Sequence, residues 1–333
     1  MPEMPEKKLT VSASPHVRSA QTVSGIMLNV IIALIPALAA SVRLFGPRVL
    51  LVCLVTIGTC MLSEYLSRKI MKRSNTLGDL SAVVTGLLLA FNLPVSIPLW
   101  QAAIGSVIAI VVVKQLFGGI GQNFVNPAIT GRIILMVSFP TAMTTWIKPL
   151  LWLDKGAEAV TTATPLTMMT KGGELSDGLP SLVDMLIGIR GGSLGETCAV
   201  ALIIGGVYLM IRKIISPAIP LSFIGTVAVI MLIAGKGSFT FVAYQLLSGG
   251  LMLGAFFMAT DYTTSPINLK GRIIFGIGCG LLTSFIRLFG SLPEGVSFSI
   301  ILMNILVPHI EHLTTPKPFG TVKEKKKKGA EKA

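Results

Sequence analysis

Ten stretches of predominantly apolar residues recur along the chain, near 23–43, 48–66, 78–93, 98–116, 127–145, 195–212, 216–235, 243–260, 270–289 and 296–313. Each approaches the length of about 20 residues that a helical membrane crossing needs, so the pattern predicts ten transmembrane helices. They fall into two sets of five, separated by one long polar connection over 146–194. The third, fifth, eighth and tenth are interrupted by Gly, Pro or ionisable residues and are expected to be broken or tilted. Short echoes link the two sets. Leu116-Phe117-Gly118 near the end of span four matches Leu288-Phe289-Gly290 near the end of span nine, and Leu80-Ser81 leading into Ala90-Phe91-Asn92-Leu93-Pro94 is similar to Leu247-Ser248 leading into Ala259-Thr260-Asp261-Tyr262. Because five is odd, two five-span repeats must run in opposite directions, the inverted arrangement of many transporters.

The expected organisation is therefore a tail over 1–22, a first five-helix repeat over 23–145, the loop 146–194, a second repeat over 195–313 and a basic tail over 314–333. Composition agrees with an all-α integral membrane protein: 52% of residues are apolar and only 13% charged, too apolar a balance for an ordinary soluble core. The net charge of +13 would suit nucleic acid, but the Lys and Arg residues cluster in the tails and short connections, as membrane topology requires. With the amino terminus inside, 19 of them lie on the cytoplasmic side and 8 outside, and Arg132 falls within a span. Both termini are thus expected in the cytoplasm of a cell membrane protein. The 146–194 loop, with Asp154, Glu158, Glu174, Asp177 and Asp184, is expected on the outer face. The Lys323-Glu324-Lys325-Lys326-Lys327-Lys328 run reads as a tail drawn to anionic lipid, with no nucleic-acid partner. Residues 1–22 are polar, so no cleaved signal peptide is expected. The four cysteines contain no Cys-x-x-Cys pair and predict neither a disulfide nor an iron–sulfur framework.

Polar groups within spans are costly and are functional candidates by default. Asp261, with Thr260 beside it, ends an apolar span in a run of hydroxyls before Pro266. Carboxylate, hydroxyls and freed carbonyls there suit a small hard cation, or equally a helix cap. Asn92-Leu93-Pro94 is its mirror partner, either a simple turn or a helix stop whose freed carbonyls need partners inside the protein. The glycine-rich entry to span five, Gly118 to Pro127 with Gly121 and Asn126, lets backbone donors approach a ligand closely but is no dinucleotide or phosphate-loop fingerprint. Arg132, one turn further, needs a carboxylate, a phosphate or a carbonyl-rich ring edge. The pairs Gly250 with Gly254 and Gly276 with Gly280 have the spacing of close helix packing. His309, Glu311 and His312 have no further ligands and are assigned no metal or other role.

The long loop carries Thr161-Thr162-Ala163-Thr164-Pro165-Leu166, ordinarily a turn or helix cap. Taken with the ten spans, this loop resembles the family formed by the D subunits of Rnf complexes, ion-translocating ferredoxin:NAD oxidoreductases, and the B subunits of sodium-translocating NADH:quinone oxidoreductases. The likeness covers essentially the whole chain, and absence of an extended amino-terminal segment favours the Rnf side. It implies a fold similar to urea and ammonium channels. It also implies FMN attached through a phosphoester to Thr164, flanked by Thr161, Thr162 and Ala163, by a separate flavin transferase, and a second, noncovalent riboflavin placed near Gly118 to Arg132. Two positions depart from the family pattern: Thr162 stands where Gly is usual, and Glu158 where the transferase motif has Asp. The resemblance further implies other Rnf subunits as partners, since NAD and iron–sulfur sites are lacking here, and translocation of Na+ or H+ along a path including Asp261, Thr260 and Asn92. The competing expectation is a flavin-free channel or transporter for a small polar solute on the same fold.

Overall fold

The computed structural model describes residues 21–153, 161–169, 178–290 and 294–316. Glu158 of the transferase pattern, the acidic residues Asp154, Glu174 and Asp177, and the Lys323–Lys328 run lie outside them. The described chain is helical, and its one strand-like feature is a bridge pairing Ile147 with Thr161.

The first half contains α1 (Val23–Phe45), α2 (Arg48–Ile70), α3 (Ser81–Phe91), α4 (Leu99–Val107, continued by a π-helix over Ile108–Gln115) and α5 (Pro127–Ser138). Three short helices follow in the connection, α6 (Pro140–Thr144), α7 (Pro165–Met168) and α8 (Leu182–Ile187). The second half contains α9 (Ala199–Ile211), α10 (Ala218–Ala234), α11 (Phe239–Leu247), α12 (Leu251–Leu253, continued by a π-helix over Gly254–Met258), α13 (Leu269–Phe289) and α14 (Val296–Thr314). Local chemistry sets several of these limits. Thr22 caps α1 by accepting the Gly25 N–H at 3.1 Å, and Gly46 ends it with φ of 82°. Asn126 caps α5, with Pro127 in the first-turn position that suits its missing N–H.

Four helices, α1, α2, α13 and α14, are long and apolar enough to cross a membrane, five with α11 and α12 taken as one segment bent by 67°. Five shorter apolar helices, α3, α4 with its π continuation, α5, α9 and α10, occupy the remaining positions. The elements differ in detail from the sequence pattern. Within the apolar stretch 78–93 the α-helix covers only Ser81–Phe91, α5 stops at Ser138 ahead of Pro140, and the sixth stretch is helical over 13 residues only. The tenth, expected to be interrupted, is a continuous helix of 19 residues through Pro308.

One apolar core joins both halves, with Phe91, Phe223, Phe241 and Phe275 fully buried. The outside is equally apolar: Leu54, Val137, Ile211, Ile233 and Phe239 are all largely exposed. A lipid-facing protein needs this second apolar surface, because hydrocarbon rather than water meets it. Within the halves, α2 packs on α3 and α4, while α10 packs on α11 and α13. Across them, α1 packs on α9 and α5 touches α14. Gly276 and Gly280 face α10 so closely that an added Cβ would sit 2.9 Å from Ile219 O and 3.0 Å from Phe223 O, the tight seam their spacing predicts. Gly250 and Gly254 differ: the first makes room for Glu196 and the second for the Val296 side chain.

Two helix breaks leave carbonyls inside the protein, and both find internal donors. At the end of α3, Phe91 O accepts from Gly195 N (2.9 Å) and Leu93 O from Leu194 N (3.0 Å), while Arg48 Nε donates to Val95 O (2.8 Å). Between α11 and α12, Arg287 donates to Gln245 O (2.6 Å) and Ser248 O (3.1 Å). Unwound backbone at membrane depth is tolerated under that condition.

Loop contacts define two faces. The start of α1, the 71–80 connection, the 116–126 loop, the 259–268 loop and the end of α14 share one, with bonds from Ser24 Oγ to Gly78 O (2.9 Å), Asn123 Nδ2 to Thr263 Oγ1 (3.0 Å) and Ile267 N to Glu311 Oε1 (3.1 Å). The described parts of the long connection lie on the opposite face, held by Leu150 N to Leu44 O (2.6 Å), Ser96 Oγ to Thr145 O (2.8 Å) and Tyr244 Oη to Pro180 O (2.7 Å).

Candidate functional site

On the face of the long connection, the threonine segment is pinned at both ends. Thr161 bridges to Ile147, Thr162 N donates to Trp146 O at 2.9 Å, and Thr164 adopts the extended conformation that precedes Pro165 at the start of α7. Thr164 O accepts from Thr167 N (3.0 Å) and Thr167 Oγ1 (2.7 Å), which leaves the Thr164 hydroxyl with Thr167 Oγ1 at 3.3 Å. Although only 7% exposed, Thr164 borders a cavity of 330 Å³ that is also lined by Arg132, Met136, Trp146, Thr162, Ala163 and Glu294. Thr162 Oγ1 is buried there without a hydrogen-bond partner. An alternating set of hydroxyls and a guanidinium beside Met and Trp surfaces suits a phosphate joined to an aromatic group.

Arg132 stands at the floor of this cavity and is 3% exposed. It pairs with Glu196 at 3.1 Å and, more closely, with Glu294. It also donates to Asn92 Oδ1 (2.8 Å) and Ser297 Oγ (3.0 Å). A buried guanidinium needs partners of this kind, because an unpaired charge in a low-dielectric interior is costly. Arg190 and Arg287 adjoin the same cluster: Arg190 donates to Glu196 O at 2.8 Å, and Arg287 and Glu294 both flank Gly249. Arg190, in the long polar connection, and Arg287, near the end of the ninth apolar stretch, turn their side chains inward and bond to backbone carbonyls. Glu196 and Glu294 were not singled out from the sequence. Glu196 lies at the start of the sixth apolar stretch and Glu294 just before the tenth, and only the tertiary fold brings them to Arg132.

On the opposite face a cavity of 560 Å³ lies between the halves, lined by apolar residues of α1, α3 and α9 and by Thr85, Lys114, Gly121, Asn123, Asn126, Thr260 and Asp261. Gly121 and Asn126 thus border one cavity and Arg132 the other, so the residues grouped near Gly118–Arg132 in sequence divide between two sites. Asn126 is largely committed to structure, capping α5 through Ala128 N (3.0 Å) and Ile129 N (3.3 Å) and donating to Met258 O (3.2 Å). Asp261 accepts from Thr263 Oγ1 (3.0 Å) and Thr264 Oγ1 (3.2 Å), so its carboxylate organises the turn at the cavity rim. Thr260 Oγ1 donates to Phe256 O at 2.7 Å. Asn92 does not reach Asp261. Its Nδ2 lies 3.6 Å from Met258 Sδ, which places it between the two cavities beside Arg132.

A further pair escaped sequence reading. Glu64 of α2 and Lys114 of the α4 π-helix meet at 2.7 Å, both almost fully buried. Lys114 also donates to Ser81 Oγ (2.6 Å), and Thr76 Oγ1 donates to Glu64 (2.7 Å). Among the described residues no group of three or more His, Cys, Asp or Glu side chains could hold a metal ion, and the cysteines are free.

The model of the NQR2, RnfD, RnfE family matches residues 10–320. The chain belongs to this family. Within it, the chain is 47% identical to the D subunit of the Na(+)-translocating ferredoxin:NAD(+) oxidoreductase complex of Acetobacterium woodii, over 97% of this chain and 99% of the relative. It is 46% identical to the D subunit of the proton-translocating ferredoxin:NAD(+) oxidoreductase complex of Clostridium ljungdahlii, over 94% and 96%. It is 39% identical to the D subunit of the ion-translocating oxidoreductase complex of Stutzerimonas stutzeri, over 90% and 92%.

Proposed function

We propose that this chain is the D subunit of an ion-translocating ferredoxin:NAD oxidoreductase, carrying electrons through flavin while Na+ or H+ crosses the membrane, with the other subunits of that complex as partners. Full-length similarity to the D subunits carries the reading. Ten apolar helical segments then form ten crossings in two inverted halves. Support comes from the matching packing of α2 on α3 and α4 and of α10 on α11 and α13, and from α1 meeting α9 across the halves. Both termini lie in the cytoplasm and the threonine loop outside, a sense supported by the excess of Lys and Arg on the face where α1 begins and α14 ends.

FMN is attached by its phosphate to Thr164 by a flavin transferase, with Thr161, Thr162 and Ala163 completing the recognition segment. The phosphate end suits the hydroxyl-lined recess, and Met136, Met143 and Trp146 offer surface to the ring. Such a tether prevents diffusion while leaving the ring to accept and release electrons. Riboflavin, uncharged and flat, suits the larger cavity, whose mostly apolar walls carry a few polar groups including Asn123 and Gly121. Asp261, at that cavity's rim, is the residue of this chain for the cation.

The test is direct. Wild-type subunit produced with the transferase should fluoresce as a flavoprotein in a denaturing gel, and Thr164→Val should abolish the signal while the folded protein is still recovered from membranes. Fluorescence retained by Thr164→Val would defeat the assignment. Asp261→Asn should slow coupled ion uptake by reconstituted complex without removing the flavin from Thr164.

A further inference from the structure

The cluster beside Thr164 holds three buried guanidiniums, Arg132, Arg190 and Arg287, against two carboxylates, Glu196 and Glu294, among the described residues. One positive charge is left over. Arg190 and the terminal nitrogens of Arg287 donate to backbone carbonyls and the Gln245 side chain, and Arg287 Nε is buried away from the Thr164 cavity without a partner. Arg132 alone of the three borders the Thr164 cavity, and its Nε is buried without a hydrogen-bond partner. Thr162 Oγ1 on the same wall is equally unpartnered. Of the two carboxylates, Glu294 is the one that faces the cavity, with 11% of its side chain exposed, whereas Glu196 is buried behind it.

From this arrangement we infer that Arg132 is the positioning residue for the phosphodiester at Thr164, and that Glu294 occupies the guanidinium until the phosphate arrives and then yields it. The inference rests on flavin attachment at Thr164. Its physical basis is charge balance. A phosphodiester bears one negative charge, which matches the excess of the cluster, and a planar guanidinium can meet phosphate oxygens with two parallel donors. Burying a monoanion beside an already neutral cluster would be unfavourable, but beside a cluster one charge too positive it relieves repulsion among the arginines. Glu196, held at 3.1 Å on the far side, keeps Arg132 from following the phosphate outward. Gly250, whose added Cβ would lie 3.1 Å from Glu196 Oε1, leaves the room for that second anchor.

The experiment compares thermal unfolding midpoints of the purified full chain produced with and without the transferase, at matched flavin occupancy measured by absorbance. In wild type, attachment should raise the midpoint by roughly 3 °C. The rise should vanish in Arg132→Gln, shrink in Arg132→Lys, and grow in Glu294→Gln, where the competing carboxylate is gone. A merely structural arginine would shift both forms of each variant equally and leave the rise unchanged. If Arg132→Gln does not fold, the opposite responses of Arg132→Lys and Glu294→Gln decide. Equal rises in wild type and both variants, with flavin on Thr164 throughout, would overturn the inference. Absence of flavin from wild-type Thr164 would instead defeat the reading on which it rests.

Discussion

Glu64 and Lys114 show what a single pair of residues contributes here. Both charges are removed from solvent, and each has a second partner, Thr76 for the carboxylate and Ser81 for the ammonium. Desolvation of two ions is expensive, so the pair is weak evidence for net stability, but removal of either partner strands the other. We expect Glu64→Gln and Lys114→Met each to destabilise the protein by about 3–5 kcal/mol, and the double variant to lose less than the two combined. Denaturant unfolding in mixed micelles measures this, and strictly additive losses would sink the argument. Neither residue stood out in the sequence. Lys114 ends an apolar stretch and counts among cytoplasmic connections by position, yet the π-helix turns it inward to line the larger cavity. Arg190 and Arg287 hide in the same way. Charge position along a chain reports which side of the membrane a segment occupies, not where its side chain points.

At the scale of elements, close approach is the recurring device. A Cβ at Gly205 of α9 would stand 2.1 Å from Ala33 O of α1, so the two helices meet backbone to backbone at the junction of the halves. At Gly225 of α10, by contrast, nothing lies within 4 Å. Gly205→Ala should therefore force α1 and α9 apart and cost about 1–3 kcal/mol, whereas Gly225→Ala should be neutral or slightly stabilising. Equal unfolding midpoints for the two variants would refute the tight junction. The long apolar helices were legible, because hydropathy, Pro94 and the Gly276–Gly280 pair mark apolar segments, a break and a seam, whereas Gly250 and Gly254 make room for side chains instead. Helix length was not. Around α3, α5 and α9 the helices are shorter than the apolar pattern, because a hydropathy window averages over the polar residues, such as Glu196 and Thr197, at which a helix begins or ends. The threonine loop was legible only through family resemblance. Its carboxylate and arginine neighbours come from α5, the 188–198 segment and the α13–α14 connection, which no local pattern unites.

For the whole molecule, the two cavities are joined by a polar thread. Thr164 and Arg132 border the first, Arg132 bonds to Asn92, Asn92 and Asn126 both reach Met258, and Asn123 meets Thr263 beside Asp261 at the second. The thread runs from the face of the long connection to the face where α1 starts, so the proposed flavins would sit toward opposite membrane surfaces. That arrangement requires a definite sense of insertion. Thr161 and Lys72 are exposed on the two faces and serve as reporters. In a chain whose Cys53, Cys60, Cys198 and Cys279 are replaced by Ala, Thr161→Cys should react with a membrane-impermeant maleimide on intact cells, and Lys72→Cys only after the membrane is opened. The reverse pattern would place the Lys- and Arg-rich connections outside, against the bias that orients helical membrane proteins. It would also put Thr164 on the cytoplasmic side, opposite to the face proposed for its flavin.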